Sequence, residues 1–213
     1  MLMERVGLFP GITNNGGTYT VSIKNVTISD SYMCSTASYV SVFAGFAYKT
    51  STKATFENCY IYDMVTVKGK TCVGGFIGGG VCDTISFRNC ASFANITVTD
   101  SKYGSFIGGF NAGETSGAGN RKVTYNNCIG NIVYTNYAQY PTYTASYCAV
   151  DGTVDSNSKT KTYPTVVSLD DMKGEAAKTN MPALSWNVWS TTENYPVLDL
   201  NKEDFVYSFE DWT

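Results

Sequence analysis

The sequence predicts an all-β fold: a right-handed parallel β-helix with three short strands in each coil of about 30 residues and a small helix-containing C-terminal cap. Three observations predict it. A strand-like segment built around an asparagine recurs four times, and a second segment built on phenylalanine and glycine recurs in step with it. No helical periodicity separates them.

The first segment reads VSIKNV at Val21–Val26, TFENC at Thr55–Cys59, ISFRNC at Ile85–Cys90 and VTYNNC at Val123–Cys128. Its asparagines, Asn25, Asn58, Asn89 and Asn127, are 33, 31 and 38 residues apart. The second segment runs VFAG at Val42–Gly45, GFIGG at Gly75–Gly79 and SFIGG at Ser105–Gly109, with a weaker copy, SYCA, at Ser146–Ala149. Further β-branched runs, Met64–Val67 and Asn95–Thr99, fall between the two segments. Two blocks keeping one period describe stacked coils, in which equivalent residues lie about 4.8 Å apart in parallel sheets.

Stacking predicts two internal columns, Phe43/Phe76/Phe106/Tyr147 and Ile23/Phe56/Phe87/Tyr125. Alternation supports the inward set, because polar Ser86 and Arg88 flank Phe87. The repeated asparagine belongs at a bend, where its side chain bonds backbone and tolerates a left-handed conformation. The glycines after each phenylalanine suit a tight corner with positive φ. Cys59, Cys90 and Cys128 share one repeat position and read as a line of small buried side chains.

Gly7–Gly11 matches the second segment about one period before Phe43, so the chain is expected to open on the last strand of an incomplete coil. Further coils are expected upstream in a longer parent protein. Gly113–Asn120 lengthens the third period and reads as a loop, and Asp151–Lys161 as a linker. Ser168 and Asp171 form a capping-box pair, predicting a helix of about three turns through Ala176–Lys178 despite Gly174. The apolar set Leu184, Trp186, Trp189 and Tyr195–Leu198 completes a cap over residues 165–200. The division is therefore residues 1–164 as coils and 165–213 as cap and acidic, aromatic tail.

Val73–Gly80 (VGGFIGGG), followed by Ile85–Cys90 and Asn95–Val98, resembles the GLUG-type repeats of bacterial cell-surface proteins. The closing Trp186 and Tyr195–Leu198 are similar to the stretch that ends many such arrays. The resemblance covers roughly residues 7 to 200. It departs in carrying Phe where the motif has Leu and in losing the glycine pair of the fourth coil. It implies secretion, a right-handed β-helix and an adhesin-like role, and it names no ligand.

Composition narrows the chemistry. Histidine is absent, which removes the commonest general base and every Ser-His or Cys-His pair. Charged residues are 15 % of the chain and the net charge is −3, with three arginines, Arg5, Arg88 and Arg121, so there is no basic footprint for nucleic acid. No apolar run approaches the ~18 residues of a membrane span. Seven cysteines leave at least one without an intrachain partner, and Cys72 and Cys82 lack zinc spacing. Asp30, Asp63, Asp83 and Asp100 are scattered singly, unlike the paired carboxylates of a glycosidase. The Gly74–Gly80 run lacks the Lys-Ser/Thr of a phosphate loop.

No catalytic residue, metal ligand or cofactor is expected. The binding candidate is the fourth coil, where Tyr137, Gln139, Tyr140 and Tyr143 form a strip suited to stacking on sugar rings. The same spacing also fits tyrosines packed inside the coil or against the linker. The sequence thus predicts a non-catalytic, extracellular bacterial surface module that binds a glycan or a host protein. A stalk that spaces other domains, and a fragment of a lyase-like carbohydrate enzyme, are the alternatives.

Overall fold

The computed structural model describes residues 6–9, 11–12, 18–36, 38–47, 52–80, 84–99, 103–104, 107–110, 122–130, 147–155, 165–168, 170–182 and 184–199. The described chain is mostly strand, and its strands pair in parallel with their counterparts one period later.

Five ladders carry this pattern. The first stacks Tyr19–Lys24, Thr52–Glu57 and Thr84–Arg88 on the beginning of Lys122–Gly130. The second stacks Thr27–Ile28, Tyr60–Ile61 and Ala91–Ser92 on the end of that same strand, so the two ladders merge into one curled sheet. The third holds Tyr32–Cys34, Thr66–Gly69 and Asn95–Val98. The fourth holds Ser38–Ser41, Thr71–Gly74 and Tyr103–Gly104, and the fifth Ala44–Ala47, Ile77–Gly80 and Ile107–Phe110. Val6 and Phe9 add isolated parallel bridges to Val40 and Ala44.

Each full period therefore holds five short strands where the sequence pattern suggested three. The asparagines cause one extra break: Asn25, Asn58, Asn89 and Asn127 have φ of 57°, 53°, 50° and 55°, the left-handed values that separate the first ladder from the second. Tyr39 and Cys72, at equivalent places in the fourth ladder, also adopt positive φ (66° and 53°).

The expected register is present. Ile23, Phe56, Phe87 and Tyr125 are directly paired. Phe56 stacks on Phe87 with centroids 5.2 Å apart, and Phe87 on Tyr125 at 5.3 Å. Phe43 and Phe76 form the second column at 5.1 Å, and the two columns meet edge to face. Phe106 lies outside the described residues. Cys59, Cys90 and Cys128 are free, buried and adjacent to this core. Burial and hydrogen bonds to its two neighbouring thiols push the Cys90 thiol well up. Cys90 is thereby an inert, apolar-type thiol, whereas its hydrogen bond to Cys59 lowers the Cys59 thiol.

The glycines act differently from the expectation. Among the described residues, Gly174 is the glycine with positive φ. Gly78 instead makes room: a Cβ there would lie 2.6 Å from the Gly45 carbonyl oxygen and 2.7 Å from the Val40 nitrogen, both backbone atoms of the preceding period. Replacing Gly78 with Ala is expected to cost about 2 kcal/mol by overpacking. Chemical denaturation of the variant checks it, and a loss below about 0.5 kcal/mol would contradict the close approach.

The parallel stack stops where this glycine is replaced. Tyr147 was expected to continue the Phe43 column, yet Tyr147–Asp155 turns back and pairs antiparallel with Lys122–Gly130. Ala149 stands where earlier periods have Gly45 and Gly78, and at Gly78 a Cβ would meet backbone of the preceding period. The reversal pairs the open edge of Lys122–Gly130 and then accepts Thr165–Val167 on its own far side.

Residues 170–199 lie along the second ladder. Tyr60, Ala91 and Ile129, from three successive periods, face out of the main core and pack with Phe93 on Met172, Ala177, Met181, Leu184, Val188 and Trp189. The predicted three-turn helix is replaced by a 3-10 turn, Asp170–Met172, and a short α-helix, Ala176–Asn180. Gly174, at φ 59°, divides them, and its N–H donates to the Thr192 carbonyl at 2.6 Å. The capping pair is formed, with Asp171 N–H donating to Ser168 Oγ at 3.1 Å and Ser168 N–H to Asp171 Oδ2 at 3.0 Å. The Ser168 hydroxyl, donating to Asp171 Oδ2 at 2.7 Å, and then the Ser168 N–H hold the Asp171 carboxyl below its ordinary range.

Candidate functional site

The site grows from the left-handed asparagines. At positive φ each side chain stands beside its equivalent one period away, and the amides bond one another where bonds to backbone were expected. Asn58 Nδ2 donates to Asn25 Oδ1 at 3.0 Å, Asn89 Nδ2 to Asn58 Oδ1 at 2.9 Å, and Asn127 Nδ2 to Asn89 Oδ1 at 2.7 Å. The last acceptor, Asn127 Oδ1, receives the Ser185 N–H at 2.6 Å. Trp189 Nε1 donates to the Asn127 carbonyl at 3.2 Å, fixing the C-terminal segment beside the ladder.

The residues just before the asparagines form a second column. Because Ile23, Phe56, Phe87 and Tyr125 point inward, their next neighbours Lys24, Glu57, Arg88 and Asn126 point outward, in register. Lys24 Nζ lies 3.0 Å from Glu57 Oε2, and Arg88 Nη1 lies 3.5 Å from Glu57 Oε1. The Arg88 side chain is 65 % exposed, so its remaining donors face solvent.

Between these columns and the C-terminal segment opens a cleft of about 390 Å³. The ladder amides Asn58, Asn89 and Asn127 line it with Glu57, Arg88 and Asn126, and Ser185 and Val188 complete the rim. An amide side chain carries two N–H donors and two acceptor lone pairs, and the ladder uses one of each, which leaves the rest for a ligand. The surface offers closely spaced donors and acceptors, one guanidinium, one carboxylate and one apolar side chain. Such a set matches a small polyhydroxylated molecule.

Among the described residues no group of three or more Cys, Asp or Glu gathers where it could hold a metal, and no helix is long and apolar enough to cross a membrane. The sequence-predicted strip of Tyr137, Gln139, Tyr140 and Tyr143 lies outside the described residues. The cleft was missed in the sequence because each member looks like an ordinary turn residue. A signal did exist. The position before the repeated asparagine changes from Lys to Glu to Arg to Asn while its neighbours repeat, and that marks an outward face. Searches of family models, curated proteins and solved structures each find no match to this chain.

Proposed function

We propose that the chain is a run of coils of a right-handed parallel β-helix of the GLUG type. It serves as a non-catalytic module of a bacterial cell-surface protein, for adhesion to a glycan. The observation that carries this reading is the amide-lined cleft, a polar recognition surface set on a repeated, rigid scaffold. The five parallel ladders, each advancing by one period, support the coil architecture. The state of Glu57 supports a binding role over hydrolysis. It is the carboxylate lining the cleft, and it is engaged by both Lys24 and Arg88, whereas glycoside hydrolysis uses two carboxyl groups across the scissile bond.

A glycan array probed with the purified chain tests the reading, alongside the Tyr137→Ala/Tyr140→Ala/Tyr143→Ala triple variant. Selective glycan binding by the native chain is the expected outcome. Loss of that binding in the triple variant places the main contact on the tyrosine strip, and retention places it elsewhere. Absence of binding to every glycan overturns the adhesion reading and leaves a spacer.

A further inference from the structure

Resting on the glycan-binding reading, the geometry points to an acidic sugar, a uronate, as the ligand of the amide-lined cleft, its carboxylate held by Arg88. Charge balance is the first argument. The outward column carries two cations, Lys24 and Arg88, around one carboxylate, Glu57. Lys24 takes Glu57 Oε2 at 3.0 Å, while Arg88 reaches Oε1 at 3.5 Å through one nitrogen. The closer cation offsets the carboxylate, and the guanidinium keeps a positive charge and open donors at the cleft. On a chain of net charge −3 this is a local reversal of sign.

The shape of the donors is the second argument. A guanidinium is a planar fork that meets a carboxylate with two parallel N–H···O bonds. In the register of the first ladder, Asn126 follows Arg88 directly and carries an exposed side-chain amide on the same outward face. A carboxylate on Arg88 would therefore place the rest of its molecule over Asn126, Asn127 and the Ser185–Val188 rim. Hydroxyl groups on adjacent carbons suit those amides and the Ser185 hydroxyl, and the Val188 side chain offers a small apolar surface for ring C–H groups. A phosphate would use the charge and the amide N–H donors and leave the amide oxygens without a donor. A neutral sugar would use the amides and leave Arg88 unmatched.

Titration of the purified chain with glucuronate, glucose, acetate and inorganic phosphate, followed by NMR shifts of the asparagine side-chain amides, tests the assignment. Glucuronate is expected to bind at least about tenfold more tightly than glucose or acetate. Arg88→Ala is expected to reduce glucuronate to the level of glucose, and Arg88→Lys, which keeps charge without the fork, to recover only part. Asn126→Ala is expected to weaken glucuronate and glucose alike. Arg88 makes one exposed ion pair, so its variants are expected to melt like the native chain.

Equal affinity for glucuronate and glucose would overturn the proposal, as would acetate or phosphate binding as tightly as glucuronate, or an unchanged Arg88→Ala variant. The glycan array separates the two levels. Neutral glycans bound with no preference for acidic ones would remove the uronate assignment and leave adhesion standing. An array with no binding at all, together with a cleft silent to every titrant, would remove both.

Discussion

Phe56→Ala is expected to destabilise the protein by about 4 kcal/mol. Phe56 is fully buried and sits where the two aromatic columns interlock. It stacks on Phe87 at 5.2 Å and meets Phe43 and Phe76 edge to face at 5.8 and 5.3 Å. Its removal loses the transfer energy of a phenyl ring and leaves a cavity that backbone ladders above and below hold open. Phe56→Leu keeps most of the volume and is expected to cost about 1.5 kcal/mol. Urea denaturation measures both. A loss under about 2 kcal/mol for the alanine variant would mean that the neighbouring periods collapse into the space and that the ladders are softer than their register implies.

The second large effect is expected at Asn89, the central buried rung of the amide ladder. Asn89→Ala is expected to cost about 3 kcal/mol, from two sources. It leaves Asn58 Oδ1 and Asn127 Nδ2 without their partner, at bond lengths of 2.9 and 2.7 Å in the native protein. It also places a Cβ-bearing residue without a compensating side chain at φ 50°. Asn89→Gly removes the second source and keeps the first, so it should recover about 1 kcal/mol relative to alanine. Thermal melting of both variants checks the difference. Identical melting of the two would show that the backbone conformation carries no strain and that the amide bonds carry the whole effect.

Much of the fold was legible because its driving forces repeat. A large apolar or aromatic residue and an asparagine two positions on recur in all four copies, and a parallel ladder converts equivalent positions directly into contact. Ile23, Phe56, Phe87 and Tyr125 could be aligned by eye and are paired in the structure. The left-handed asparagines were legible for the same reason, since a short amide side chain tolerates that conformation.

The misread features were those decided by space or by long-range contact. The glycines after Phe76 suit a tight corner by sequence, whereas Gly78 answers to backbone atoms of the preceding period. The antiparallel return at Tyr147–Asp155 carries Ala149 and Val150 where the motif has its glycine pair, and its direction is not visible in the local pattern. The far rim of the cleft could not be read from local sequence. Its rim residues Ser185 and Val188 are brought to Asn127 by a bond between residues 58 positions apart.

The segment that runs along the second ladder has a consequence for how the molecule comes apart. A stack in which each period touches only its neighbours would fray from its ends, one layer at a time. Here Tyr60, Ala91 and Ile129 share one apolar strap, and Tyr60 Oη donates to the Pro196 carbonyl across 136 residues of sequence at 2.9 Å. Trp189 fastens the same strap to Asn127. The three strapped periods must open together, whereas Tyr19–Lys24, with its alternate residues only half covered, can peel away alone. Such distant closures form late and slowly, so the strap also raises the barrier that resists unfolding once it is in place. The lifetime of the native state is then set by the barrier to this joint opening, apart from its equilibrium stability.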